Sequence, residues 1–257
     1  MTYLGRLNMT SYIGILKRVV LLLALAVTAG SLSASATQLL TNGGFETGSF
    51  TGWTVTNQAG GSGSFYIDGT VLAPLSQNPA AGPAAGSSYA VSDQVGPSAN
   101  VLIQTFVVPS AASSVILSFD MFVNDSSGSG PFIDPSGLDY SSGGTGSPNQ
   151  HARVDILSAI ATPFDTGAGV LDNLYIGVDP QHQNPNPYTQ YTFDITSLVG
   201  AGGTFQIRFA EVGSLANLNQ GVDNVSITFA AVPEPSAALM IGLGLVSLSR
   251  VSRRVSR

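Results

Sequence analysis

Apolar residues at every second position, in short repeated blocks, are what most constrain the fold of this chain. In "SSVILSFDMFVND" Val115, Leu117, Phe119, Met121 and Val123 share one face. "HARVDILSA" sets Ala152, Val154 and Ile156 together, "YTQYTFDIT" aligns Tyr191, Phe193 and Ile195, and "FQIRFAEV" aligns Phe205, Ile207 and Phe209. In "VDNVSITFA" the inward set is Val225, Ile227 and Phe229. A period of two marks a strand with one buried face, and long helix-period runs are absent between the two ends of the chain. Gly, Ser and Pro separate the blocks, so the pattern predicts an all-β fold, a β-sandwich. No tandem repeat or second domain is visible. Two connections are long, residues 74–88 and 124–150, and loops of that length inside a domain are either functional or disordered.

Charge is sorted along the chain. Of nine Lys and Arg, three lie near the start and four are Arg250, Arg253, Arg254 and Arg257, which leaves Arg153 and Arg208 between. All fifteen acidic residues fall between Glu46 and Glu234. Residues 37–232 carry fourteen acidic and two basic side chains, a net charge of −12 with His neutral. Such a body excludes nucleic acid and anionic membrane surfaces as partners, since both need basic patches. It suits calcium binding or simple solubility. No cysteine is present, so stability must come from the core, with or without a metal.

The ends read as addresses. Lys17-Arg18, the apolar run "VVLLLALAVTAG" and Ala34-Ser35-Ala36 have the three parts of a secretory signal peptide, residues 1–36, with translation starting at Met1 or Met9. At the other end Ala237–Leu248 is apolar and precedes the arginines. Twelve helical residues span about 18 Å against a hydrocarbon core of about 30 Å. That is a short transmembrane helix at best, with its arginines cytoplasmic and the acidic body outside.

Pro233-Glu234-Pro235, the short apolar helix and the Arg-rich end together resemble a PEP-CTERM sorting signal, residues 232–257. The resemblance implies an exported protein of a Gram-negative bacterium, held transiently in the inner membrane and handled by an exosortase-type protease. It would then reach the cell surface or an exopolysaccharide-rich biofilm matrix.

The body, residues 37–231, carries a second resemblance. Asn42-Gly43-Gly44-Phe45-Glu46 with Gly48 and Gly52-Trp53 resembles the first strand of galactose-binding-like jelly rolls, a group that includes carbohydrate-binding modules. Asp194, Leu198 and Gly200 match its D-x-[ST]-x-L-x-G turn, Arg208-Phe209 its next strand, and Asp223-Asn224-Val225 its closing strand. The resemblance implies a jelly-roll β-sandwich and, in several relatives, a structural Ca²⁺ at the positions of Glu46 and Asp223. The other reading of these two is that Glu46 accepts backbone hydrogen bonds at a turn and Asp223 caps a strand end.

Sugar binding requires exposed aromatic faces with polar neighbours. Trp53 falls in the first-strand motif and reads as core, whereas Tyr140, Tyr175 and Tyr188 fall in loops. His151 and His182 are the only histidines, and no H-E-x-x-H or G-x-S-x-G is present. The expectation is a non-catalytic surface or matrix protein. The alternatives are a dedicated carbohydrate-binding module and a polysaccharide hydrolase using paired carboxylates.

Overall fold

The computed structural model describes residues 36–109, 112–134, 137–141, 146–178, 185–215 and 217–232. The signal-peptide residues before Ala36, His182, the Pro233–Pro235 motif and the four terminal arginines lie outside them. Among the described residues no helix is long and apolar enough to cross a membrane.

Eleven strands form in chain order: β1 (Thr37–Gln38), β2 (Thr54–Asn57), β3 (Ser64–Asp68), β4 (Tyr89–Asp93), β5 (Ser98–Val108), β6 (Ala112–Asp125), β7 (Gln150–Ser158), β8 (Val170–Gly177), β9 (Thr189–Asp194), β10 (Gly203–Gly213) and β11 (Leu218–Ala231). One sheet runs β3-β4-β11-β6-β9 with β1 on β11, and the other runs β2-β5-β10-β7-β8. The eight strands β4 to β11 alternate between sheets as 4-11-6-9 and 5-10-7-8, the order of a jelly roll. Every pairing is antiparallel.

The alternating blocks become the facing walls of the core. Val115, Leu117, Phe119, Met121 and Val123 point inward from β6, and Ala152, Val154 and Ile156 from β7. Phe205, Ile207 and Phe209 do the same from β10, where Phe209 meets Phe119 edge-on at 5.1 Å. Burying side chains of this size stabilises by about 1.5–3 kcal/mol each. Trp53 is core, stacked at a tilt 5.4 Å from Phe45, with its Nε1 donating to Asn42 O.

β11 changes its inward parity partway along. Leu218, Gln220 and Val222 face inward before a register shift at Asp223–Ser226, and Val225, Ile227 and Phe229 after it. The bulge adds one residue, and Asn224 takes it up at φ 51°. Asn42–Glu46 docks on this bulge as a turn, which corrects the expectation of a first strand there; Asn42 and Phe45 have φ of 54° and 57°. Val225 N donates to Gly43 O at 2.9 Å, and a Cβ on Gly43 would overlap the Val225 carbonyl oxygen. The turn after β9 is a single helical turn, α1 (Thr196–Val199), entered through Asp194 Oδ1 accepting from Thr196 N and closed by Gly200 N donating to Thr196 O.

The two long connections fold back over the outer faces of the sheets. Ala80 of the 74–88 segment covers Tyr89, Val91 and Phe122 on one sheet. Leu138 of the 124–150 segment, with Phe164 from the β7–β8 connection, covers Val101, Ile103, Leu157, Ala210 and Val212 on the other. Beneath that second cover lies a buried ionic triad. Asp155 accepts from Arg153 Nη2 and Arg208 Nη2, each at 2.6 Å, and both its oxygens are taken. Arg208 Nη1 also donates to Pro163 O and Asp165 O, which ties the β7–β8 connection to the sheet.

Candidate functional site

A shallow cleft lies where the last strands of the two sheets, β8 and β9, run along one edge of the sandwich. Tyr175 of β8 and Tyr191 of β9 form its aromatic wall, with ring centroids 5.7 Å apart and planes at 72°. Met121, Phe122 and Val123 of β6, the buried Asn186, and the exposed Pro187 and Thr189 line the rest of it. Its empty space is about 280 Å³ including the open mouth. The part it encloses is only about 10 Å³, room for about one water, against about 300–1,000 Å³ for most small-molecule pockets, so a ligand can only lie on the wall.

Local structure fixes each wall. Tyr191 stacks on Phe119 at 5.2 Å and lies nearly parallel to Phe193, which pins its ring at the rim of the core. Tyr175 OH donates to Val178 O at 3.1 Å, and Asn186 Nδ2 donates to Val123 O at 2.7 Å. Asn186 N also donates to Asn124 Oδ1, so the segment before β9 is sewn to the end of β6. Burial raises the Tyr191 hydroxyl above its ordinary pKa, keeping it a neutral donor.

Three tyrosines were expected in loops; Tyr140 and Tyr188 lie in loops, and Tyr175 does not. Tyr175 is in a strand, not a loop, and lines the cleft. Tyr188 is half-buried behind it, edge-on to Phe122 at 5.0 Å with its hydroxyl donating to Gly82 O. Tyr140 belongs to the cover over the other sheet, its hydroxyl donating to Ala59 O. Sequence reasoning missed Tyr191, Thr189 and Asn186. Alternation had assigned Tyr191 to the core, and no pattern distinguishes a core aromatic from one at the rim.

Glu46 and Asp223 do approach each other, and both fasten the same segment. Glu46 accepts from Ser87 Oγ, Ser87 N and Ser88 N at 2.9–3.1 Å; these bonds hold its carboxyl below the ordinary range, the Ser87 hydroxyl contributing most. Asp223 Oδ2 accepts from Ala84 N at 2.9 Å and Ala85 N at 3.1 Å, and Oδ1 from Asn224 N. Desolvation raises the Asp223 carboxyl despite those bonds. Residues near the two ends of the domain thus clamp 84–88 through backbone amides. Among the described residues no three His, Cys, Asp or Glu side chains gather around one point.

Among the described residues, the lining of the cleft carries no carboxylate and no histidine. His151 is fully buried, its Nδ1 at 3.3 Å from Phe132 O, and burial pushes its pKa down to about 4.

No protein-family model and no curated protein matches the chain. Solved structures resemble it at the level of architecture. One is TmCBM61 in complex with β-1,4-galactotriose, at 14% identity and a TM-score of 0.44, covering 74% of this chain and 97% of that one. Another is the K3 cleaved adhesin domain of Lys-gingipain from Porphyromonas gingivalis W83, at 16% identity and 0.46, covering 76% and 99%. A third is a xylan-binding domain from CBM 22, at 11% identity and 0.38, covering 79% and 99%. The chain is an all-β sandwich of two antiparallel sheets, and carbohydrate-binding modules are among its structural neighbours.

Proposed function

We infer that the body is a non-catalytic carbohydrate-binding module of an exported protein, with the edge cleft as its sugar site. The observation that carries this reading is the cleft's chemistry. Aromatic faces of Tyr175 and Tyr191 stand beside the hydroxyl of Thr189, and the described residues that line the cleft include no carboxylate and no histidine. A sugar ring offers a C–H face to an aromatic wall and hydroxyls to neutral hydrogen-bonding groups. The PEP-CTERM-like tail, ending in Arg250, Arg253, Arg254 and Arg257, belongs to the same reading as the address. An exosortase-type protease would process it, and the exopolysaccharide of a surface or matrix would be the ligand.

Affinity electrophoresis of the full-length protein through gels containing single soluble polysaccharides tests this. Retardation by at least one glycan should be lost in Tyr175→Ala and kept in Tyr140→Ala. If no polysaccharide retards the wild type, the sugar reading falls, and a matrix protein that acts by packing alone is left. A Ca²⁺ ion bridging Glu46 and Asp223 is a further part of the proposal. It would compete with the amide bonds that both carboxylates make, and a calcium-induced rise in melting temperature should then vanish in both Glu46→Gln and Asp223→Asn.

A further inference from the structure

The surface of the body carries charge of one sign. Between Arg18 and Arg250 the chain contains two basic side chains, Arg153 and Arg208. Arg208 is fully buried and Arg153 nearly so, and both are bound to Asp155. His151 is buried too, and burial keeps it neutral. Among the described residues no accessible cation is left. Carboxylates do reach the surface: Glu46, Asp172 and Asp194 are exposed, and Asp68 and Asp120 are half-buried.

Two of these carboxylates stand on strands that build the cleft. Asp120 of β6 precedes Met121, and its register partner Gln190 follows Thr189; Met121 and Thr189 both line the cleft. Asn224 Nδ2 donates to Asp120 Oδ2 at 2.8 Å, a neutral partner that leaves the charge in place. Asp172 of β8 precedes the wall residue Tyr175 by three positions, about 10 Å along a strand. That is about one Debye length at 0.1 M salt, and Asp120 starts closer, so both charges act on whatever lies on the wall. Tyr188, between the lining residues Pro187 and Thr189, feels the same field. Burial raises its phenol above the ordinary pKa, and the charges of Asp223 and Asp120 raise it further. The cleft encloses almost nothing, so a ligand gains only what the wall and the Thr189 hydroxyl supply. Contact that slight does not overcome repulsion from a chain charged at every sugar.

We propose that the cleft selects uncharged glycans and rejects chains that carry a carboxylate, sulfate or phosphate on each sugar. The inference rests on the reading of the cleft as a sugar site and narrows its ligand. A polyanion laid on the wall meets carboxylates and no counter-charge. An uncharged chain meets no such barrier, and turns C–H faces to Tyr175 and Tyr191 and a hydroxyl to Thr189.

The test is biolayer interferometry of the full-length protein on immobilised β-1,4-galactan, galactomannan and β-1,3-glucan. Tetrasaccharides of the polymer that binds then compete from solution, untreated or with their C6 hydroxyls oxidised to carboxylates. Competition reports the wall alone, because an oxidised sugar held by the terminal arginines does not release the polymer. At 10 mM NaCl the oxidised competitor should be at least about tenfold weaker, and at 1 M NaCl the gap should close to under about threefold, as the Debye length falls from about 30 to about 3 Å. The double variant Asp120→Asn/Asp172→Asn should narrow the 10 mM gap as well. Equal competition by both forms overturns the selection and leaves the sugar reading standing. A gap that neither salt nor the double variant moves belongs to the lost hydroxyl and overturns it too. If none of the three polymers binds, the sugar reading falls and this inference with it.

Discussion

Replacing Asp155 by Asn is the sharpest test of how the second sheet keeps its cover. Asp155 Oδ2 accepts from Arg153 Nε, Arg208 Nε and Arg208 Nη2, and Oδ1 from Arg153 Nη2 and Asn173 Nδ2. An amide of the same shape keeps one oxygen and puts an NH₂ group against donors at the other position. Two guanidiniums then stay buried with no anion. Removing one partner of a buried pair costs about 3–5 kcal/mol. With a urea slope of about 2–3 kcal/mol/M, the midpoint should fall by about 1–2.5 M. Trp53 is the single tryptophan and sits in the core, so its fluorescence reports the transition directly. A midpoint shift under about 0.3 M, less than about 1 kcal/mol, would refute the argument, because that is the scale of an exposed pair. Arg153→Met, Asp155→Leu and Arg208→Met together should recover part of the loss, since no charge is then buried.

Further outcomes follow from other residues. Glu211 has a folded-state pKa above the 4.5 of a free Glu, so its contribution is full below pH 4.5 and lost as pH rises toward the folded value. Glu211→Gln should therefore gain stability on the wild type as pH rises above 4.5, and melting curves that stay parallel would count against it. Glu46 runs the other way: its pKa is lowered, so its contribution is present above 4.5 and lost as pH falls further, and Glu46→Gln should flatten acid unfolding. Gly43→Ala puts a Cβ into the Val225 carbonyl and should cost about 1–3 kcal/mol by urea unfolding, more than Gly96→Ala, whose Cβ meets only the Ser62 side chain at 3.4 Å.

Five stretches alternated cleanly, and each became a strand with the expected inward face, because each has one face on the common core and a partner strand that keeps its register. β4 was not read from the sequence: Tyr89–Asp93 is buried at every position, as is Gln150–Leu157 of β7, where the apolar inward set still alternated. Loops cover their outer faces, so polar residues there are buried too and the period of two is blurred. The clamp residues Glu46 and Asp223 were legible through a motif. Their partners, the amides of Ala84, Ala85, Ser87 and Ser88, were not, since a backbone amide leaves no trace in the residue type.

The sequence by itself determined the β class, the inward faces of the main strands and the acidity of the body, because these rest on local period and composition. Only the tertiary structure decided which residues meet. The extra residue at Asp223–Ser226 reversed the parity of β11, so that Gln220 and Val222 face inward before it and Val225 and Ile227 after it. The jelly-roll order placed β8 and β9 side by side at one edge and brought Tyr175 to Tyr191. Such contacts join positions far apart in the chain, and only the register of strands from both sheets fixes them.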